Sequence, residues 1–376
     1  MLRRNGVYCF WWLFFLGVPI GCGVSAGHNG SLHLLFSFPP RTEQWSADPL
    51  LVWNETHPFS WWVFVPLAGL VAVCCLPFIV RTWRAVRGKG ISGNLRRALP
   101  WWGWVGLLMF LGWLPIVWFR PEFATRLQVH SFAIMGLGHT LLMDALAYRR
   151  SGTSLLVESR RAFLMLFPAS ALFWWCFEYL NRFARNWYFV NLESFSAFEY
   201  IVCFSLGCAT ILPSTVTTAR WLGTFRGFSN DICSGFWRVD VHSPVSRSLF
   251  AFVALLGGFG VVLAPSVAFP LVWLSPICAL ALVHSLSGRR TGLEDLSTGN
   301  WSLVWRYAVA MLLCGFVWET WGFWIEVKWI YSVPWLYRFT YAEMPIIGFA
   351  GYLPFGVAAL LVCSWLCPGD EKASRV

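Results

Sequence analysis

Residues 173–199 read FWWCFEYLNRFARNWYFVNLESFSAFE, and residues 316–343 read FVWETWGFWIEVKWIYSVPWLYRFTYAE. Each stretch leaves an apolar run through a glutamate, crosses a short loop that contains Trp, and reaches a second glutamate near the next apolar run. The second stretch begins about 140 residues after the first. We therefore predict a fold that places these two similar stretches in equivalent positions.

The composition is that of a membrane protein. Hydrophobic residues make up 57% of the chain and charged residues 12%, and the mean hydropathy is +0.59. A soluble domain carries about twice that share of charge. Many of the 26 Trp residues lie at the ends of apolar runs, as in the aromatic belts of membrane proteins. The fold class predicted is all-α and polytopic.

The apolar runs predict about ten transmembrane helices, since several approach the ~20 residues that span a bilayer. The first lies within residues 1–26, and the others cover 60–80, 99–118, 127–147, 162–181, 197–214, 247–264, 268–286, 303–325 and 344–366. With the N-terminus inside, 21 Lys and Arg residues fall in inside segments and 7 in outside segments. Cytoplasmic loops carry an excess of these residues. We therefore predict a bacterial inner-membrane protein with both termini cytoplasmic and both glutamate-containing stretches outside.

The N-terminal part of the chain leaves two interpretations open. Residues 1–26 contain two arginines, an apolar run and the small residues Val24-Ser25-Ala26, as in a cleaved signal peptide, but a retained signal-anchor helix fits equally. The rest divides into an exported loop (27–59), two N-terminal transmembrane helices (60–126), repeat unit 1 (127–214), a cytoplasmic loop and joining helix (215–267), repeat unit 2 (268–366) and a cytoplasmic tail (367–376).

The likeness of the two stretches extends into a longer internal repeat. The matching positions are Arg149-Arg150-Ser151-Gly152 with Arg289-Arg290-Thr291-Gly292, Glu178 with Glu319, Trp187 with Trp329, Glu199 with Glu343, and Gly207 with Gly351. Each unit would hold three helices, and one further helix would join the units, so the units would share one orientation. We predict two parallel repeats related by a pseudo-twofold axis along the membrane normal.

Four glutamates at helix ends are the main candidate functional residues, because carboxylates are costly inside a bilayer. Asn181 shares a helix face with the first of them, and Gly322 stands at its matching place, so the half-sites differ. If the units face each other, a catalytic set converges below an aromatic, substrate-binding lid. The catalytic set is Glu178, Glu319, Glu199, Glu343 and Asn181, and the lid is Trp187, Tyr188, Trp329 and Tyr331. Carboxyl groups in an apolar pocket can keep a proton near neutral pH and act as general acids.

A structural role for the same residues stays open. The glutamates could pair with basic residues of the same loops or cap loop amides, and the Trp residues could belong to the aromatic belt. The basic candidates are Arg182, Arg185, Lys328 and Arg338. Asp144 is expected to form an ion pair or a cap, and His130 and His139 fall on opposed helix faces. The cysteines show no CxxC pattern, and no metal site is predicted.

The pattern of an acid, a loop Trp and a second Glu occurs twice in parallel. It resembles the lycopene cyclase domain family of the heterodimeric or fused type. The matching residues are Glu178, Trp187 and Glu199, then Glu319, Trp329 and Glu343. In that family the first acid is typically an Asp, and the third helix begins with a Pro-x-Glu-Glu motif. In this chain the first acid is a Glu, and a single Glu enters each third helix. The segment NWYFVN also resembles other bacterial integral membrane proteins. The family resemblance implies protonation of an isoprenoid chain, with no metal or nucleotide cofactor.

Two functions follow as hypotheses. The first is a membrane-embedded acid–base enzyme of lycopene-cyclase-like type that acts on an isoprenoid or another lipid. The second is a non-catalytic membrane protein, either a transporter or a lipid- or pigment-binding subunit of a membrane complex. Both have a lipid or isoprenoid and the bilayer as partners, and neither involves nucleic acid.

Overall fold

A computed structural model describes residues 2–25, 57–89, 97–192, 194–228 and 230–366. Most of the predicted exported loop and the predicted tail therefore lie outside the described residues. The helices are α1 (Leu2–Ser25), α2 (Trp61–Lys89), α3 (Trp101–Phe119), α4 (Thr125–Gln128), α5 (Ser131–Ser151), α6 (Leu155–Glu158), α7 (Arg160–Ala184), α8 (Ala197–Cys208), α9 (Ile211–Gly223), α10 (Pro244–Leu263), α11 (Pro265–Ala268), α12 (Leu271–Leu286), α13 (Ser302–Gly322) and α14 (Tyr352–Leu366). The strands are β1 (Trp187–Phe189), β2 (Trp329–Tyr331), β3 (Thr340–Tyr341) and β4 (Met344–Pro345).

The helices confirm the predicted all-α membrane class. Seven of those described are long and apolar enough to cross a membrane, namely Trp61–Arg87, Trp101–Phe119, Arg160–Ala184, Ala197–Gly223, Pro244–Leu263, Ser302–Gly322 and Ile346–Leu366. The chain is therefore an integral membrane protein. The predicted count of ten is not confirmed, because the apolar helices Trp12–Val24 and Leu271–Leu286 are shorter. Helix α5 falls outside the seven and buries His139, Thr140 and Asp144.

Helix α9 lies at the centre of the bundle. It packs against α5, α7, α13 and α14, and most of its residues are buried. It is separated from α8 because the hydroxyl of Ser170 inserts into the helical hydrogen-bond ladder. The backbone N–H of Leu212 donates to Ser170 Oγ at 3.0 Å, and that hydroxyl donates to the Cys208 carbonyl at 2.5 Å. One side chain thus satisfies both backbone groups that the break leaves free.

The two Arg-Arg turns of the predicted repeat have the same local conformation. Gly152 and Gly292 have φ angles of +85° and +79°, values that glycine adopts without steric penalty. In each turn, the hydroxyl of the preceding residue accepts the backbone N–H two positions on, Thr153 N to Ser151 Oγ at 3.2 Å and Leu293 N to Thr291 Oγ1 at 3.0 Å. The matching letters in the sequence therefore correspond to matching turns.

Two glycines allow α3 and α5 to approach closely. A Cβ atom on Gly106 would lie 2.7 Å from the Gly138 carbonyl oxygen and 2.7 Å from Leu142 N. A Cβ atom on Gly138 would lie 2.9 Å from the Gly106 carbonyl oxygen. Small residues at such crossings let helix backbones meet, as is common in membranes.

We predict that Gly106→Ala lowers the free energy of unfolding by about 1–3 kcal/mol, because the added methyl group forces α3 away from α5. Gly112→Ala on the same helix is the matched control, since its Cβ would meet only Leu108, at 3.4 Å. Thermal unfolding of the detergent-solubilised variants measures the difference. Equal unfolding temperatures would contradict the close packing described above.

Candidate functional site

The two predicted aromatic loops meet in a two-stranded antiparallel ribbon formed by β1 and β2. Trp187 lies opposite Tyr331, Tyr188 opposite Ile330, and Phe189 opposite Trp329. Because side chains alternate between the faces of a strand, the first and third pairs share one face and the central pair lies on the other. The ribbon is thus the element that brings the two stretches together.

Glu178 lies behind this ribbon, within the last two turns of α7. Its side chain is 3% exposed, and its Oε1 accepts hydrogen bonds from Trp187 Nε1 at 2.8 Å and Trp174 Nε1 at 3.0 Å. Trp174 lies one turn earlier on the same helix, so its indole reaches the carboxylate easily. The carboxylate therefore ties strand β1 to α7.

Glu319 occupies the corresponding place on α13. It is 1% exposed, and its Oε1 accepts hydrogen bonds from Tyr331 at 2.7 Å, Tyr352 at 2.8 Å and Trp329 Nε1 at 3.2 Å. In both halves a loop Trp thus donates to the helix glutamate. The second carboxylate also joins α14 to strand β2, a link that the first half lacks.

The half-sites differ in which residue supplies the ring one turn before the glutamate. Gly315 stands four residues before Glu319, where the first half has Trp174 before Glu178. The Tyr352 ring fills that space, because a Cβ on Gly315 would lie 2.5 Å from it. Gly322 leaves similar room for the Trp329 ring, which a Cβ there would approach to 2.4 Å.

Asn181 positions the loop instead of facing a substrate. Its Nδ2 donates to the Trp187 carbonyl at 2.7 Å, and its Oδ1 accepts the backbone N–H of Asn186 at 2.7 Å. Both hydrogen bonds hold the backbone at the start of β1. Asn181 was predicted in the catalytic set, but the geometry gives it a supporting role.

Each of the two second glutamates has a polar partner of its own. Glu199 is exposed and forms a capping box with Ser196 at the start of α8. Glu343 pairs with Lys328, whose Nζ lies 2.5 Å from Oε1. The alternative of capping or ion pairing therefore holds for both, because each has a nearer partner in its own loop.

An apolar cavity lies under the ribbon. Its wall includes three of the four predicted lid residues, Trp187, Trp329 and Tyr331, together with Trp174 and Tyr352. Neither Glu178 nor Glu319 lines it. The two carboxylates thus stand behind an aromatic wall, and each fixes rings that form the wall.

Tyr188 does not line this cavity, contrary to the prediction. It occupies the central position of β1, and the strand alternation turns it to the other face of the ribbon. Phe189 lines the cavity instead, and the sequence analysis missed it. The alternation of side chains along a strand, counted from Trp187, would have found Phe189. Trp273 and Tyr352 also line the cavity, but they lie far from the loops in sequence and carry no comparable signal.

Other polar residues form separate contacts. Asp144 Oδ1 accepts the backbone N–H of Leu156 in α6 at 3.1 Å, which is the capping role expected of it. His139 Nε2 lies 3.5 Å from Thr218 Oγ1, and His130 Nδ1 lies 3.8 Å from Cys203 Sγ. Among the described residues, no group of three or more His, Cys, Asp or Glu side chains is arranged to hold a metal ion.

No family model, no curated protein and no solved structure matches this chain. The resemblance to the lycopene cyclase domain family therefore stays a prediction.

We expect Gly315→Ala to displace the Tyr352 ring and break its hydrogen bond to Glu319, with a loss of about 1–3 kcal/mol in unfolding free energy. Gly351→Ala is the control, because it precedes the same tyrosine and its Cβ would lie 4.0 Å from the nearest atoms, those of Trp273. Thermal unfolding in detergent compares the two variants. A Gly315→Ala protein as stable as the control would argue against the packing of the Tyr352 ring on Gly315.

Replacing the buried carboxylates by leucine should destabilise the fold in proportion to the donors left unpaired. Glu319→Leu leaves three donors without an acceptor, and Glu178→Leu leaves two. Each buried group that loses its partner lowers the free energy of unfolding by about 1–3 kcal/mol. Glu199→Leu, at an exposed cap, should lose the least. Chemical or thermal unfolding ranks the three variants, and any other order would show that these hydrogen bonds do not dominate.

Proposed function

We propose that this protein binds an apolar lipid or isoprenoid in the aromatic cavity under the ribbon. The observation that carries the proposal is the lining itself, which is almost wholly aromatic and aliphatic and lies within a membrane-embedded bundle. An uncharged hydrocarbon gains from such a lining, whereas a charged ligand would lose its hydration without compensation.

The indole and phenol groups of the wall supply what little polarity the cavity has. Tyr331 and Tyr352 line it and donate to Glu319, and Trp174 and Trp187 line it and donate to Glu178. Their donors point away from the cavity and toward the carboxylates. The wall therefore offers ring faces to a ligand and suits a binding protein, which was the second sequence-based hypothesis.

Acid–base catalysis of lycopene-cyclase-like type is the second candidate function. It is favoured by the contact between Tyr331 and Glu319, at 2.7 Å. When Glu319 is neutral, it could pass its proton to the Tyr331 oxygen while the hydroxyl proton of Tyr331 passes to a C=C bond of the ligand. The ligand becomes a carbocation and Glu319 a carboxylate, and a proton returned from another carbon of the ligand along the same route restores both groups. The surrounding ring faces would stabilise the cation in between, and the tyrosine relays the proton that the glutamate was first expected to donate itself.

The finer architecture is also proposed. We infer about ten transmembrane helices, of which six form two parallel three-helix repeats and one joins the repeats, with both termini in the cytoplasm of a bacterial cell. The ribbon register supports the pseudo-twofold relation, because a twofold axis perpendicular to the ribbon, midway between Tyr188 and Ile330, would exchange Trp187 with Trp329 and Phe189 with Tyr331. The two Arg-Arg turns of like conformation support it independently.

Lipid extraction of the purified protein followed by mass spectrometry tests the binding proposal. We expect a specific apolar ligand in the wild-type protein and a large reduction in Cys203→Trp, because Cys203 lines the cavity and the larger side chain would fill it. Cys74→Trp is the control, since Cys74 is exposed on α2. Wild-type protein that carries only bulk phospholipid would contradict the proposal.

Tyr331→Phe, in the same experiment, separates the two candidate functions. It keeps the ring of the wall but removes the hydroxyl. A ligand of unchanged retention time and absorption spectrum would favour binding alone. Accumulation of an acyclic or otherwise altered isomer would favour catalysis, and Glu319→Gln should then give the same product.

A further inference from the structure

A second cavity lies next to the first. The two share three lining residues, Trp187, Trp273 and Tyr331. Trp187 and Tyr331 form one cross-strand pair of the ribbon, and the rings of Trp187 and Trp273 lie 5.1 Å apart between centroids. These three rings are therefore the partition between the cavities.

One side of the partition is fixed by hydrogen bonds. Trp187 donates to Glu178 at 2.8 Å, and Tyr331 donates to Glu319 at 2.7 Å, and both carboxylates are buried in long helices. Trp273 belongs to α12, on the other side of the partition, and meets Trp187 through ring contact. The buried glutamates thus hold the ribbon side of the partition in place.

Helix α2 forms the outer wall of the second cavity and is attached mainly near its ends. At one end, Ser60 N donates to the Trp335 carbonyl at 2.9 Å. At the other, Trp305 Nε1 donates to Thr82 Oγ1 at 2.8 Å. Between these points, no residue of its apolar window is fully buried, and Leu67 and Val71 line the cavity. The cavity is therefore the space between the middle of α2 and the helix bundle.

The second cavity has the chemistry of a hydrocarbon site. Apart from Asn186 and the ring polar groups of the partition, its lining is apolar, with residues from α2, α12, the ribbon and the 3₁₀ turn Ile346–Gly351. The other faces of α2 are exposed and apolar as well, including Leu70 and Val73. A helix of this kind in a bilayer stands between lipid and the cavity.

We propose that the second cavity is a lateral access route and a second subsite for the same ligand. An elongated, uncharged hydrocarbon chain would enter from the bilayer beside α2 and lie across the partition of Trp187, Tyr331 and Trp273. Its head would occupy the cavity under the ribbon and its tail the cavity beside α2. This inference rests on the proposed binding function of the first cavity and adds that ligand length decides which subsites are filled.

Binding of two isoprenoid alcohols of different length tests the inference. The full-length protein in phospholipid nanodiscs is titrated with ten-carbon geraniol and twenty-carbon geranylgeraniol and followed by native mass spectrometry. Val71→Trp should fill the second cavity and weaken binding of the longer alcohol by about tenfold or more, since its tail loses apolar contact. Binding of the shorter alcohol should change by less than about twofold.

Val73→Trp is the matched control, because Val73 lies two residues away on α2 and is 72% exposed. It should bind both alcohols as the wild type does. Leu67→Trp, with the exposed Leu70→Trp as its control, provides a second pair if Val71→Trp unfolds. Thermal unfolding identifies variants that retain the fold.

The possible outcomes separate the two proposals. Normal binding of both alcohols by Val71→Trp and Leu67→Trp would overturn the second subsite and leave the first cavity as the binding site. Equal weakening of both alcohols would overturn the division by ligand length. Wild-type protein that binds neither alcohol would overturn the binding function and this inference with it.

Discussion

The structure depends on how two buried carboxylates are satisfied in apolar surroundings. Glu178 and Glu319 are almost fully buried, and a carboxylate without hydrogen-bond donors would be costly there. Indole N–H and phenol O–H groups supply donors without adding a second charge, and each brings a large ring with it. The same contacts therefore hold the ribbon to α7 and α13, join α14 to the site, and shape the aromatic wall of the cavity.

The sequence predicted the membrane class and the position of most helices, because long apolar runs leave few alternatives in a bilayer. It also predicted that Glu178 and Glu319 belong with the aromatic loops. Helical spacing places a glutamate at the end of each apolar run, and the loop Trp follows at a similar distance in both halves. The count of membrane spans could not be settled in this way, since α5 buries polar groups against other helices and so reads as less apolar than a lipid-facing span.

The parts of the site that sequence reasoning missed are those made by contacts between distant segments. The place of Trp174 in one half is taken in the other by Tyr352, which comes from a different helix and fits only because residue 315 is glycine. Glu199 is a different case, because Ser196-x-x-Glu199 is a capping-box pattern that the repeat comparison overlooked. Glu199 and Glu343 match in sequence position, but their partners in the structure differ.

The central position of α9 has a consequence for the biogenesis of the protein. A helix that is buried on most sides and carries several hydroxyl groups gains little from lipid. Its neighbours α13 and α14 follow it by roughly 80 residues or more in the chain, so during synthesis α9 reaches the membrane before they do. Insertion of the first half would leave these hydroxyls in a provisional lipid environment until the second half arrives. A chain arrested before α13 would therefore be a natural target for the quality-control proteases of the membrane.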